Sequence, residues 1–158
     1  MTMYKQILVA VDGSSTSDAA LQQALELGRE GQARLRVVHV IDSPYDYPDA
    51  LYGFVPGDLV ELRQAWQKLG REVLDLALAA ARLAGVEPES ALLELAGRRV
   101  STTIVDEAKR WGADLIVVGT HGHRGLERLL LGSVAEGVSR TAPISVLLVR
   151  GAGSEEQK

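Results

Sequence analysis

Apolar positions along the chain follow two patterns. Five short runs, residues 7–11, 35–41, 91–95, 115–118 and 144–149, are rich in β-branched or aliphatic side chains, and most have hardly a polar interruption. A strand with one solvated face alternates apolar and polar residues. A nearly continuous apolar run belongs to a strand covered on both faces, as in a parallel sheet. Between these runs, apolar residues recur at helical spacing. Ala19, Ala20, Ala24 and Leu27 mark one helix, and Leu59, Leu62, Trp66, Leu69, Val73, Leu76, Ala80 and Leu83 form a long stripe along a second. Ile104, Val105, Ala108 and Trp111 mark a third, and Val134 and Val138 a shorter fourth. The stripes, with Trp66 and Trp111 on them, read as core faces. Strands alternating with helices imply right-handed βαβ crossovers and a sheet with helices on both sides. The chain shows no internal repeat.

Two regions follow neither pattern. Residues 42–58 hold three of the five prolines together with Tyr45, Tyr47, Tyr52 and Gly53, and read as a loop long enough to act as a flap. Residues 151–158 are small and polar and are expected to be a disordered tail. The expected organisation is therefore one domain over 1–150 followed by that tail. A chain of 158 residues suits a single domain, one that buries roughly 70% of its unfolded surface without staples.

Composition narrows the chemistry. There is no cysteine, which removes disulfides, thiolate catalysis and thiolate metal sites together. The first apolar run is too short for a signal peptide. The longest apolar-rich stretch, 74–86, is interrupted by Asp75 and Arg82 and falls short of the ~20 residues of a membrane span. A soluble, cytoplasmic protein with no membrane partner is expected. The net charge of −4, with Lys and Arg scattered, argues against nucleic acid as a partner.

The segment with the clearest chemistry begins at Gly119, where the fourth apolar run ends: Gly119-Thr120-His121-Gly122-His123-Arg124-Gly125, continuing through Arg128 to Gly132-Ser133-Val134. Ligands of open parallel sheets bind outside the carboxyl ends of strands. Glycines there let the main chain approach a phosphate, and a helix opening at Gly132-Ser133 would offer free N–H groups to an anion. Arg124 and Arg128 would add cationic donors. A second reading explains the same residues as turn glycines plus a capping box from Ser133 to Glu136. Both stay open on local physics. Asp12-Gly13-Ser14-Ser15 is similarly divided between ligand contact by Asp12 and a strand-to-helix turn, with a box from Ser15 to Asp18. His121 and His123 form an H-x-H pair with no identifiable third metal ligand, and His39, inside an apolar strand, reads as a hydrogen-bonded core residue. No G-x-x-x-x-G-K-[ST] loop or G-x-S-x-G elbow occurs.

Gly119-x-x-Gly122, nine residues, then Gly132-Ser133 resembles the ATP-binding branch of the universal stress protein family. The stretches Tyr4-Lys5-Gln6-Ile7-Leu8-Val9-Ala10-Val11-Asp12-Gly13-Ser14, Ala113-Asp114-Leu115-Ile116-Val117-Val118-Gly119 and Ala142-Pro143-Ile144-Ser145-Val146-Leu147-Leu148-Val149 are similar to its first, fourth and last strands. The resemblance implies an α/β fold, Rossmann-like and akin to the adenine nucleotide α-hydrolases, with a five-stranded parallel sheet of order 3-2-1-4-5. It implies ATP, with magnesium, across the switch point between strands one and four. Ala10 and Asp12 would meet the adenosine portion and Val40 the adenine, while Gly119, Gly122, Gly132, Ser133 and Val134 would hold the phosphates. His123 stands where relatives often carry arginine, with Arg124 beside it, and both are candidates for the phosphate side. The implied partner is a second copy, paired through the strand Ile144–Val149, which carries no charge before Arg150. The implied function is a regulatory, stress-response module. The alternative is a slow ATP-hydrolysing or adenylyl-transferring enzyme on the same architecture, whose S-G-G-x-D-S or H-I-G-H signatures are absent.

Overall fold

The computed structural model describes residues 3–43, 46–47, 52–53, 56–121 and 131–151. In chain order they form β1 (Gln6–Ala10), α1 (Ser15–Gly31), β2 (Arg34–Ile41), α2 (Pro56–Leu83), β3 (Glu89–Glu94), α3 (Val100–Trp111), β4 (Leu115–Gly119), α4 (Ser133–Thr141) and β5 (Ser145–Val149). All strand pairs are parallel, in the order β3-β2-β1-β4-β5. The chain therefore reverses its direction of travel between β1 and β4, as expected.

The continuous apolar runs have the reason anticipated for them. Side chains alternate across the sheet, and both sides are covered. Ile7, Val9, Leu35, Val37, Leu115 and Val117 pack with Ala20, Leu21, Ala24 and Leu25 of α1 and Leu74, Leu78 and Ala81 of α2. Leu8, Val38, Val40, Ile116 and Val118 pack on the opposite side with Ile104, Val105 and Ala108 of α3 and Ala135 and Val138 of α4. Ile7, Leu8, Val9, Ile116 and Val117 are fully buried, each contributing about 1.5–3 kcal/mol by that burial.

Strand ends moved by one or two positions. β3 starts at Glu89, whose carboxylate receives Arg36 at 3.1 Å and the Trp111 indole N–H at 2.9 Å; Arg34 reaches it as well. Arg34 and Arg36 also lie over the Trp111 ring, 5.6 and 5.8 Å from its centroid. Trp111 is thus a half-buried platform at the sheet's amino end. Of the loop expected over 42–58, residues 56–58 form the first turn of α2 instead.

The core face expected for α2 is corrected. Its buried positions are Gly70, Leu74, Ala77, Leu78 and Ala81, whereas Leu69, Leu76 and Leu83 are 53%, 73% and 92% exposed. The spacing explains the error. Leu62, Leu69, Leu76 and Leu83 repeat every seven residues, and a straight α-helix rotates such a row by about 20° per repeat. The row starts half-buried at Leu62 and turns out into solvent. Gly70 belongs to the true face because a Cβ there would lie 3.0 Å from both Ile41 and Leu92.

Candidate functional site

β1 and β4 are adjacent and parallel, so their carboxyl ends open on the same edge of the sheet. After β1 the chain turns sharply into α1. Gly13 takes φ +81°, the Ser14 N–H donates to Asp12 Oδ1 at 2.9 Å, and the Asp12 N–H donates to Ser17 Oγ at 3.2 Å. Ser14 is the N-cap, its hydroxyl accepting from the Ser17 N–H at 3.2 Å. The box expected between Ser15 and Asp18 is therefore corrected: the cap is one residue earlier, and Ser15 is already helical. Asp12 is held by this turn at the end of β1, with Ala10 packed on the α3–α4 side and Val40 buried on β2. His39 donates from Nδ1 to the Val11 carbonyl at 2.7 Å, the hydrogen-bonded role expected of it.

On the other side of the switch point, β4 ends at Gly119. Its missing side chain has a packing reason, since a Cβ would lie 3.1 Å from the Thr16 backbone carbonyl group and 2.8 Å from Thr16 Cγ2. The first turn of α1 sits directly on this glycine. Buried Thr120 follows, its N–H donating to the Val149 carbonyl at 2.9 Å and its carbonyl accepting from the Gly132 N–H at 2.8 Å. The second bond sets the start of α4 beside the end of β4.

Gly132 is the N-cap of α4, with φ −61° and ψ 153°, and among the described residues no side chain caps the helix. The capping box read from Ser133 to Glu136 is overturned: Ser133 is the first helical residue, and Glu136 pairs with Arg140 at 3.4 Å. Gly132 itself fits tightly, since a Cβ would lie 3.1 Å from the Thr120 carbonyl oxygen. Beside this uncapped start lies His121. Its Nδ1 is within hydrogen-bond distance of Thr120 Oγ1, at 3.0 Å, while its Nε2 is buried with no hydrogen-bond partner among the described residues. An unfilled buried nitrogen is costly unless a ligand completes it. The structure thus brings Ala10, Asp12, Gly119, Gly132, Ser133 and Val134 to one edge, with Val40 on the neighbouring strand. Gly122, His123 and Arg124 lie outside the described residues. Thr120 is signalled in the sequence only by its place within the glycine-rich segment, whereas His121 reads there as half of an H-x-H pair rather than as a phosphate contact.

The universal stress protein family matches residues 3–150. The chain belongs to the universal stress protein family. It is 36% identical over 151 residues to the universal stress protein YxiE of Bacillus subtilis, covering 94% of this chain and 100% of that one. A crystal structure of a universal stress protein from Burkholderia pseudomallei is 37% identical, covers 96% of this chain and 99% of its own, and superposes with a TM-score of 0.71. The universal stress protein of Archaeoglobus fulgidus, solved in complex with dAMP, is 28% identical over 94% of this chain and 99% of its own, with a TM-score of 0.64.

Other features of this family member lie beyond that site, the first of them farther along the same carboxyl edge, at the ends of β2 and β3. A cleft of about 290 Å³ between the end of the sheet and α2 is lined by Ile41, Ser43, Asp46, Arg63, Trp66 and Glu94, among others. Hydrogen bonds from Gln67 at 2.7 Å and Arg63 at 2.8 Å hold the Glu94 carboxyl below the usual carboxylate range. No group of three or more His, Asp or Glu residues that could hold a metal ion occurs among the described residues. Nor is any described helix long and apolar enough to cross a membrane.

Proposed function

We propose that this protein binds ATP across the carboxyl ends of β1 and β4 and acts as a regulatory module of the stress response, paired with a second copy through β5. The observation that carries the reading is the start of α4. It is tied to the end of β4 by the Gly132–Thr120 hydrogen bond and, among the described residues, has no side-chain cap and adjoins a histidine whose Nε2 lacks a partner. Free first-turn N–H groups and the helix dipole favour a phosphate, and His121 would supply one more polar contact. The dAMP complex of the Archaeoglobus fulgidus relative supports an adenine nucleotide as the ligand. Ala10, Asp12 and Val40 would then face the nucleoside, and Gly119, Gly122, Gly132, Ser133 and Val134 the phosphates, with His123 or Arg124 as the side-chain contact. Without a described carboxylate cluster, a magnesium ion would ride mainly on the phosphates and their waters.

Holding fits these residues better than cleavage. Hydrolysis needs a positioned base or water-orienting group and charge stabilisation at the γ-phosphate. Asp12 is tied into its own turn, and donors that hold ground and transition state equally give affinity without rate. Thermal melting tests the assignment. Ligand at one hundred times its Kd adds about 2.7 kcal/mol, a shift of roughly 5–11 °C for a domain of this size. ATP should shift the melt clearly more than AMP, and equal shifts would remove the phosphates from the start of α4.

A further inference from the structure

We propose that α2 is a self-association surface that pairs antiparallel with α2 of a second copy of this chain. This stands independently of the nucleotide reading. The helix covers β2 and β3, at the end of the sheet opposite β5, so the surface is separate from the β5 edge. Its outward side carries Ala65, Leu69, Glu72, Leu76, Ala79 and Leu83, with half-buried Leu62 at the start of the row, apolar apart from Glu72 and spaced alternately three and four residues apart. That spacing is the seam of a two-helix coiled coil, and a helix is the occupant such a seam fits. Leu69, Leu76 and Leu83 are all more than half exposed, and side chains of this size left in a row on solvent mark an interaction face.

The flanking charges select the partner and its direction. Glu61, Lys68, Asp75 and Arg82 repeat every seven residues along one rim of the seam, with alternating sign, and all are exposed. When two copies lie antiparallel with Leu69 opposite Glu72, the same register sets Ala65 opposite Leu76 and Leu62 opposite Ala79. It also sets Glu61 opposite Arg82 and Lys68 opposite Asp75. Every rim pair is then of opposite sign, and the two-fold axis makes each pair twice. A parallel pair in register would set Glu72 against Glu72, and would face the charged rim with Leu59, Trp66, Val73 and Ala80. The antiparallel self-pair is the arrangement this sequence complements. Ala65 and Ala79 leave room for the opposing leucines, and Glu72, with Lys68 one turn before it, is a polar seam residue of the kind that fixes register. Arg82 already pairs with Glu87 at 3.1 Å, but both side chains are more than half exposed, so this bond gives way cheaply.

Sedimentation of the full chain over a micromolar concentration series tests the proposal. Leu69→Glu/Leu76→Glu should lower the average mass to that left by β5 pairing alone while leaving the circular dichroism spectrum unchanged, since both side chains are exposed. Lys68→Glu should weaken association, and Lys68→Glu/Asp75→Lys, which restores every opposite-sign pair, should recover it. Because the chain has no cysteine, Ala65→Cys/Leu76→Cys reports direction: mild oxidation should give a covalent dimer that neither single variant gives. An unchanged mass in Leu69→Glu/Leu76→Glu, or a crosslink in the Ala65→Cys single variant, would overturn the proposal.

Discussion

The backbone N–H of Gly132 donates to the carbonyl of Thr120 at 2.8 Å, joining the carboxyl end of β4 to the amino end of α4. This bond fixes where a helix begins relative to where a strand stops. Because Gly132 rather than Ser133 occupies the cap, the cap position itself offers the helix start no side-chain acceptor. The two serines at helix starts in this fold therefore have different duties, and substitution separates them.

Ser14→Ala should lower stability by about 1 kcal/mol, because the Ser14 hydroxyl accepts from the Ser17 N–H. Ser133→Ala should change stability by less than about 0.5 kcal/mol, since its hydroxyl caps nothing among the described residues. Urea denaturation of the two variants checks the contrast. A loss in Ser133→Ala as large as in Ser14→Ala would restore the capping-box reading.

Two glycines are expected to be intolerant for packing reasons. Gly119→Ala sets a methyl group against the Thr16 backbone, which no change of the Thr16 side chain removes, and should cost about 1–3 kcal/mol. Gly137→Ala meets Ser101, whose Cβ lies 2.6 Å from the new methyl position where α3 and α4 cross. Adding Ser101→Gly should recover most of the second loss, measured by thermal melting. Failure of that rescue would mean the crossing is not set by this pair.

Glu107 is a buried carboxylate, its side chain 5% exposed, bonded to Arg36 at 2.8 Å and Arg110 at 2.7 Å. Glu107→Ala takes from the nearly buried Arg36 the closer of its two carboxylates, leaving Glu89 at 3.1 Å, and should cost about 1.5–3 kcal/mol. Arg110→Ala, at a side chain 67% exposed, should cost less than about 1 kcal/mol. Equal costs in chemical denaturation would contradict the burial argument.

Acid should loosen both ends of the outer strand β3. Hydrogen bonds from Arg34 and then Trp111 hold the Glu89 carboxyl below its usual 4.5, and those from Gln67 and then Arg63 do the same at Glu94. The unfolded chain takes up these protons first, so their contribution is present above pH 4.5 and is lost as pH falls through the lowered folded values. Urea midpoints measured from pH 7 downward should fall less steeply in Glu89→Gln/Glu94→Gln than in the parent chain. Parallel acid limbs would show that other groups govern the loss.

The sheet was legible because two-sided burial writes itself as unbroken apolar runs, as in Ile7-Leu8-Val9 and Ile116-Val117-Val118. The strand order was legible only through the resemblance to relatives. The facing of α2 was not legible. Its leucines at 62, 69, 76 and 83 form a better stripe than the buried Gly70, Leu74, Ala77, Leu78 and Ala81, whose small residues carry little hydropathy. The caps were misread by one residue at both helices for one reason: Ser14-Ser15 and Gly132-Ser133 each offer two adjacent candidates, and only backbone angles choose between them. That Gly119 and Gly137 are required by Thr16 and Ser101 is a matter of helix approach, which no local pattern encodes.

Isothermal titration of ATP into nucleotide-stripped protein tests the central claim most directly, with Ser133→Ala as its partner sample. Magnesium ATP should bind at one site per chain, and Ser133→Ala, at a first-turn residue of α4 with no capping duty, should bind it several-fold more weakly while melting at nearly the parent temperature. Absence of ATP binding by a folded parent chain, or equal affinity in the two proteins, would contradict the placement of a nucleotide phosphate at the start of α4.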